Sequence, residues 1–216
     1  FGLRSDTITA PIFSGIGCEH EHISIFIAEM LALGYKCKGI YEPHHTELAT
    51  KIADRYRIPL ASTKESLLTE EGSIVGSAAI NDEKIDVIEL CEQYEKPIML
   101  DKPAVTNRAG LARLRAVLER GRIHIGMLLT ERFRPTVQMV KQAIDEGKYG
   151  EIVHISIRKP HMLKPQSRPS WHFSKKQSGG IMVDLLIHDV DLLRFFTGQE
   201  IVSWQGFMGK RILPEY

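Results

Sequence analysis

Residues 11–42 read PIFSGIGCEHEHISIFIAEMLALGYKCKGIYE, and the succession of patterns within them decides the fold. An apolar run at 11–14 reads as a strand. After a turn containing glycine, Ile23, Phe26, Ile27, Met30 and Leu31 recur at the spacing of one helix face, and Gly34 ends that helix. Residues 36–41 read as a second strand. Strand, crossover helix, strand is the unit from which parallel sheets are wound.

The unit repeats. A helix over 47–56 buries Leu48, Ile52 and Tyr56, a brief strand at 59–61 precedes a short helical stretch at 64–68, and 74–78 is a fourth strand. Asn81 or Asp82 is placed to cap the next helix, whose inward residues are Ile85, Ile88 and Cys91. Residues 97–100 form a buried strand running into Asp101, a helix carries Leu111, Leu114 and Leu118 as far as Gly121, and 123–128 is a sixth strand. Beyond about residue 130 the rhythm changes to a helix at 135–146, an alternating strand at 151–159, a Pro- and Ser-rich segment at 160–178, a helix at 180–196 and a strand at 201–207. The expected division is a doubly wound α/β domain over residues 1–128 and an α+β domain over 129–216, with 160–178 a functional loop.

The 216 residues, 43% hydrophobic and 25% charged, suffice to bury a core. A formal charge of +1, from 28 basic and 27 acidic side chains, leaves no footprint for a polyanion, so nucleic acid is not an expected partner. Cys18, Cys37 and Cys91 form neither a disulfide framework nor a zinc pattern, which favours a cytoplasmic home. The opening FGLRSDTITAP has no apolar leader core, and no run approaches the roughly 18 apolar residues that span a bilayer. A membrane partner is therefore not expected.

Four motifs carry chemistry. Gly15-Ile16-Gly17 lies where a strand gives way to a helix, and glycines there let the backbone approach a pyrophosphate held at the helix N-terminus. His20 stands where a third glycine would fall, Glu19 and Glu21 add negative charge, and such a turn also needs glycine for its own geometry. Glu42 follows the second strand, 25 positions after Gly17, where a carboxylate bonds ribose hydroxyls and repels a 2′-phosphate; NAD is favoured over NADP. Asp101-Lys102-Pro103 ends a strand on the side where parallel sheets bind ligands, so Lys102 can bond a substrate hydroxyl and favour a developing alkoxide. In SGGIMVDLLIHDVD, residues 178–191, the spacing puts Asp184, His188 and Asp191 on one stripe of an apolar helix. His188 can take a hydroxyl proton while Asp184 orients it or the substrate; a core His–Asp pair or a metal pair has the same spacing. The run His20-Glu21-His22 points its imidazoles about 200° apart if helical, and no metal is expected there.

Taken together, the glycine turn, Glu42, Asp101-Lys102-Pro103, Arg132-Phe133-Arg134-Pro135, Trp171, Ser178-Gly179-Gly180 and Asp184-x-x-x-His188-x-x-Asp191 resemble the glucose-fructose oxidoreductase, inositol dehydrogenase and MocA family, from about Ile12 to Phe207. Asp101 stands where the family more often has Glu, and the stretch SAAINDEK, residues 77–84, lacks the family's Thr-Pro-Asn and following His, with only Asn81 corresponding. The resemblance implies a Rossmann domain followed by a domain on an open, largely antiparallel sheet, incomplete here because the chain is about a hundred residues short of typical two-domain sizes. It implies catalysis by Lys102, Asp184 and His188. Cofactor contacts fall to Gly15, Ile16, Gly17, Glu42, Asn81, Asp101 and Lys102, and substrate contacts to Lys102, Trp171, Asp184 and His188.

The expected activity is interconversion of a secondary alcohol and a ketone on a sugar, polyol or cyclitol with NAD as cofactor. Two alternatives are a non-catalytic nucleotide- or sugar-binding regulator on the same fold and a reductase of a non-sugar substrate. A homo-oligomer, dimer or tetramer, is expected because one face of the 151–159 strand is mixed and unpaired strands need cover.

Overall fold

The computed structural model describes residues 10–209; the termini whose composition was read above, 1–9 and 210–216, lie outside the described residues. Five strands, β1 (Ile12–Cys18), β2 (Lys36–Tyr41), β3 (Ile74–Ala78), β4 (Ile98–Asp101) and β5 (Ile125–Leu128), form one parallel sheet in the order β2-β1-β3-β4-β5. Parallel neighbours need crossovers, which α1 (His22–Ala32), α2 (Thr46–Tyr56), α3 (Lys84–Gln93) and α4 (Arg108–Arg120) provide. The third strand read at 59–61 contributes only a single parallel bridge, Ile40 to Leu60, beyond β2. The direction of winding reverses between β1 and β3, the switch point where such sheets bind ligands.

Both faces of the sheet are covered, as strands apolar on both sides require. Phe13, Ile27, Ile40 and Ile52 fill one layer and Ile16, Val75, Ile88, Ile98 and Leu100 the other, all essentially removed from solvent. Asn107 caps α4 by accepting from the Gly110 N–H at 2.9 Å, and Gly121 closes it at φ 62°.

Several sequence expectations need correction. Gly15-Ile16-Gly17 is not a turn after β1 but part of it, because Gly15 and Ile16 pair in register with Ile40 and Tyr41. Neither Asn81 nor Asp82 caps α3; Glu83 holds the cap position without a side-chain bond, and Asn81 is committed elsewhere. The helix read at 180–196 is interrupted: α6 (Lys175–Ser178) and α7 (Ile181–Asp184) precede α8 (Ile187–Thr197). After α5 (Pro135–Asp145), residues 151–159 and 201–207 take no regular structure. Alternation names the faces of a strand, but extended backbone becomes a strand only beside a hydrogen-bonding neighbour, and none stands next to either stretch among the described residues.

Candidate active site

A cleft of about 770 Å³ opens at the carboxyl ends of the strands. His20 and His22 reach it from beyond β1, Lys102 from beyond β4, Thr130 and Glu131 from beyond β5, and Asp184 and His188 close it from α7 and α8.

Lys102, Asp184 and His188 are brought together, each less than a tenth exposed. The Lys102 ammonium donates to the Asp184 carboxylate at 2.5 Å and to the Asp184 carbonyl at 2.8 Å. Burial by itself would raise the Asp184 carboxyl, and the charge and hydrogen bond of Lys102 instead hold it below the ordinary carboxylate range. His188 is pushed down to about 4, first by burial and then by the charges of Lys159 and Lys102, so it is neutral at physiological pH. Its Nδ1 is buried without a hydrogen-bond partner, leaving a ring nitrogen uncommitted beside the cleft. His172, buried, has its Nε2 3.9 Å from the other oxygen of the Asp184 carboxylate, Oδ2.

Beneath this set lies a residue that the sequence reading passed over. Lys84, the first residue of α3, is fully buried, and its ammonium is paired with the Asp101 carboxylate. It also donates to Asn81 Oδ1 at 2.9 Å and to the carbonyls of Asp101 and Lys102 at 3.2 Å each. One cation thus fixes both the end of β4 and the loop after β3. Burial raises a carboxyl, yet Lys84 outweighs it and Asp101 is held below its ordinary range. Asn81 in turn donates to the Ser178 carbonyl at 3.1 Å, joining the loop to the Ser178-Gly179-Gly180 turn. Asp101 and Asn81 therefore support Lys102 from behind.

At the switch point, Gly17 has φ +84°, and a Cβ there would fall 2.5 Å from that of Ala79, so only glycine fits. Glu42 is buried and accepts from the backbone N–H groups of Cys18 at 2.5 Å, His44 at 2.7 Å and His45 at 3.3 Å. It links the end of β1 to the turn before α2. The acidic residues read as unfavourable for a phosphate are compensated. Glu19 accepts from the Trp171 indole at 3.0 Å and pairs with His45, while Glu21 is exposed and accepts from Ser24. Gly17 thus packs against Ala79, and backbone N–H groups hold both Glu42 oxygens, at the switch point where sheets of this kind bind dinucleotides.

Not every expected residue reaches the cleft. Trp171 is buried against Glu19 rather than lining it, and Asp191 forms a two-bond pair with Arg132 at 2.5 and 2.6 Å. His20 and His22 do not diverge as a helical reading implies, because His20 precedes α1; their rings are 4.0 Å apart and their nitrogens lie within 4.8 Å of an Asp101 oxygen. Lys84 already claims that carboxylate and Lys102 adjoins it, so the surroundings repel a cation, and of the three only His20 and His22 line the cleft.

Fold and site define a doubly wound α/β architecture with a titratable cleft at its strand ends. Residues 137–215 match the family model described as the GFO/IDH/MocA C-terminal domain. Over 122 residues, 56% of the chain and 36% of the relative, it is 31% identical to an inositol 2-dehydrogenase of Rhizobium meliloti (strain 1021). Over 56% of the chain and 34% of the relative, it is 32% identical to a scyllo-inositol 2-dehydrogenase (NAD(+)) of Bacillus subtilis (strain 168). A levoglucosan dehydrogenase solved with NADH and levoglucosan superposes with a TM-score of 0.72 at 22% identity, covering 88% of this chain and 55% of that one. The chain thus spans about a third of the length of these curated relatives. The resemblance to the glucose-fructose oxidoreductase, inositol dehydrogenase and MocA family read from the motifs is borne out by the family model and by these relatives.

Proposed function

We propose that the protein is an NAD-dependent dehydrogenase that interconverts a secondary alcohol and a ketone on a sugar, polyol or cyclitol. The carrying observation is the Lys102–Asp184 pair at 2.5 Å beside a neutral His188 in one cleft at the strand ends. Relatives named for inositol and levoglucosan oxidation support the substrate class.

The residues divide the work by charge. His188, neutral and uncommitted at Nδ1, accepts the hydroxyl proton. Lys102 donates to the substrate oxygen as negative charge gathers on it, and Asp184 holds the ammonium in place. What NAD supplies when bound is the acceptor for the hydride that leaves the same carbon. Gly17 would pass close to its pyrophosphate, and Glu42 would meet the adenosine ribose, where a carboxylate disfavours a 2′-phosphate.

We read residues 1–128 as the dinucleotide-binding domain and 129–216 as part of the substrate domain. The whole protein is read as a homo-oligomer, because Val153, Val202, Trp204 and Phe207 are each more than four-fifths exposed. Three free thiols, two of them buried, suit a cytoplasmic protein, and no helix among the described residues is long and apolar enough to cross a membrane.

Titration with NADH and NADPH followed by a polyol screen at 340 nm is the test. Tighter NADH binding, weakened by Glu42→Ala, and reduction of NAD by a polyol are expected; tighter NADPH binding would reverse the cofactor choice. Binding of nucleotide without turnover of any alcohol would favour the regulatory alternative.

A further inference from the structure

The near-zero formal charge of the chain conceals a strong local asymmetry. Six Lys and Arg side chains line the cleft: Lys102, Arg134, Arg158, Lys159, Lys164 and Arg168. Only three carboxylates, Glu131, Asp184 and Asp189, face them. Lys102 is paired with Asp184, and Arg134 with Glu131 at 2.7 Å. Lys159 is different. Its ammonium is buried and makes no hydrogen bond, standing 3.9 Å from each of Glu131 and Asp189. Those distances make ion pairs but no direct hydrogen bond, so the charge is balanced while the ammonium's donors are left unused. Arg168 uses its Nε on the Leu163 carbonyl, and Arg158 is exposed at the cleft rim. Four of the six cations come from residues 158–168, a segment that the proposed reaction does not otherwise use.

We infer that the substrate is an acidic sugar or polyol, whose carboxylate or phosphate docks against Lys159 and the neighbouring cations while its reacting hydroxyl meets Lys102 and His188. This rests on the dehydrogenase reading above and sharpens it. The acidic group is a spectator: the carbon still loses a hydride to NAD and the oxygen a proton to His188. An anion supplies the acceptor that Lys159 lacks, and arginines add paired donors suited to flat or tetrahedral oxyanions. A neutral polyol would leave the excess of positive charge uncompensated. A cleft of about 770 Å³ is in the ordinary range for a small-molecule site and has room for a ring and its substituent. Proximity of Lys159 also accounts for part of the depression of His188, so a docked anion would draw that imidazole back towards its ordinary range.

The test uses the full-length protein with saturating NAD and three probes: myo-inositol, glucuronate and glucose 6-phosphate. Calorimetric binding of the same probes to the NADH complex is measured alongside turnover. The acidic probes should show KM values at least about tenfold below the neutral one, rising with salt, and whichever of the two is preferred identifies the anion as carboxylate or phosphate. Lys159→Met should raise KM for acidic probes about tenfold with kcat little changed and NADH binding intact. Arg158→Gln, at an exposed position that the fold does not need, should act in the same direction more weakly. Efficient turnover of neutral polyols in preference to both acids would overturn the inference while leaving the dehydrogenase reading standing. Acidic probes that bind through Lys159 without any turnover would do the reverse. Failure of both acids to bind at millimolar concentration, or loss of NADH affinity alone in Lys159→Met, would also overturn it.

Discussion

The two halves of the chain solve the problem of burial differently. Before residue 129, every strand has its neighbours and every helix its sheet face, and the core side chains from Phe13 to Val117 are almost wholly enclosed. After it, no strand forms among the described residues, and Val153, Val202, Trp204 and Phe207 stand 89%, 97%, 83% and 92% exposed. The second half is held mainly where it meets the first: Asp184 on Lys102, Trp171 on Glu19, and Ser178 on Asn81. The site lies on that seam. A self-sufficient sheet presents the chemistry, and a dependent segment completes it.

Breaking the sheet side should have the largest consequence. Lys84→Met leaves the buried Asp101 carboxylate without its ammonium, with only His22 at 3.3 Å beside it, and a loss of roughly 3 kcal/mol in unfolding free energy is expected by denaturant titration. A cost under about 1 kcal/mol would mean that Lys84 does not hold the seam. Next, Lys102→Ala and His188→Ala should each lower turnover by about two orders of magnitude or more while circular dichroism stays native. Retention of near-normal turnover in either would remove it from the proposed chemistry.

Acid should loosen the site before the sheet. His20 at about 3 and His188 at about 4 sit below the ordinary 6.5, so the unfolded chain binds more protons below that value. Their contribution is complete above about pH 6.5 and is lost as pH falls towards 4. Asp101 and Asp184, held below 3.8, add a further loss at still lower pH. Stability measured from pH 7.5 to 4 should fall more steeply for the wild type than for His188→Gln; identical slopes would contradict the assignment. A pair of truncations sharpens the contrast, its second member giving the smallest effect of all: Leu100→Ala should cost about 2–5 kcal/mol, comparable with Lys84→Met, and Val202→Ala less than about 0.5. A comparable cost at Val202 would show that a second surface covers it.

What was legible in the sequence follows the same division. Residues 74–78 were read as a strand to the residue because five apolar or small side chains between turns leave few alternatives, and the lysine after β4 fell on the ligand side because parallel strands all end there. The glycines of β1 misled because glycine serves a turn and a close strand approach equally well. The stretches 151–159 and 201–207 misled because periodicity carries no information about partners. Asp184 and His188 kept their stripe through an interrupted helix, whereas Asp191 was diverted by Arg132, a pairing between residues 59 apart that spacing cannot reveal. Lys84 and Lys159 look in sequence like any solvated lysine; only the folded chain shows that one is enclosed among acceptors and the other lacks one.

The bond between Trp171 and Glu19 makes the seam visible by light. The chain has two indoles, one 4% exposed and donating to a carboxylate at the end of β1, the other, Trp204, 83% exposed. Their emission should differ in colour, blue for the enclosed ring and red for the solvated one, and a small quencher such as acrylamide should extinguish the second first. Whatever shifts Glu19 changes the field at Trp171, so this indole reports on the contact between the end of β1 and residues 170–173.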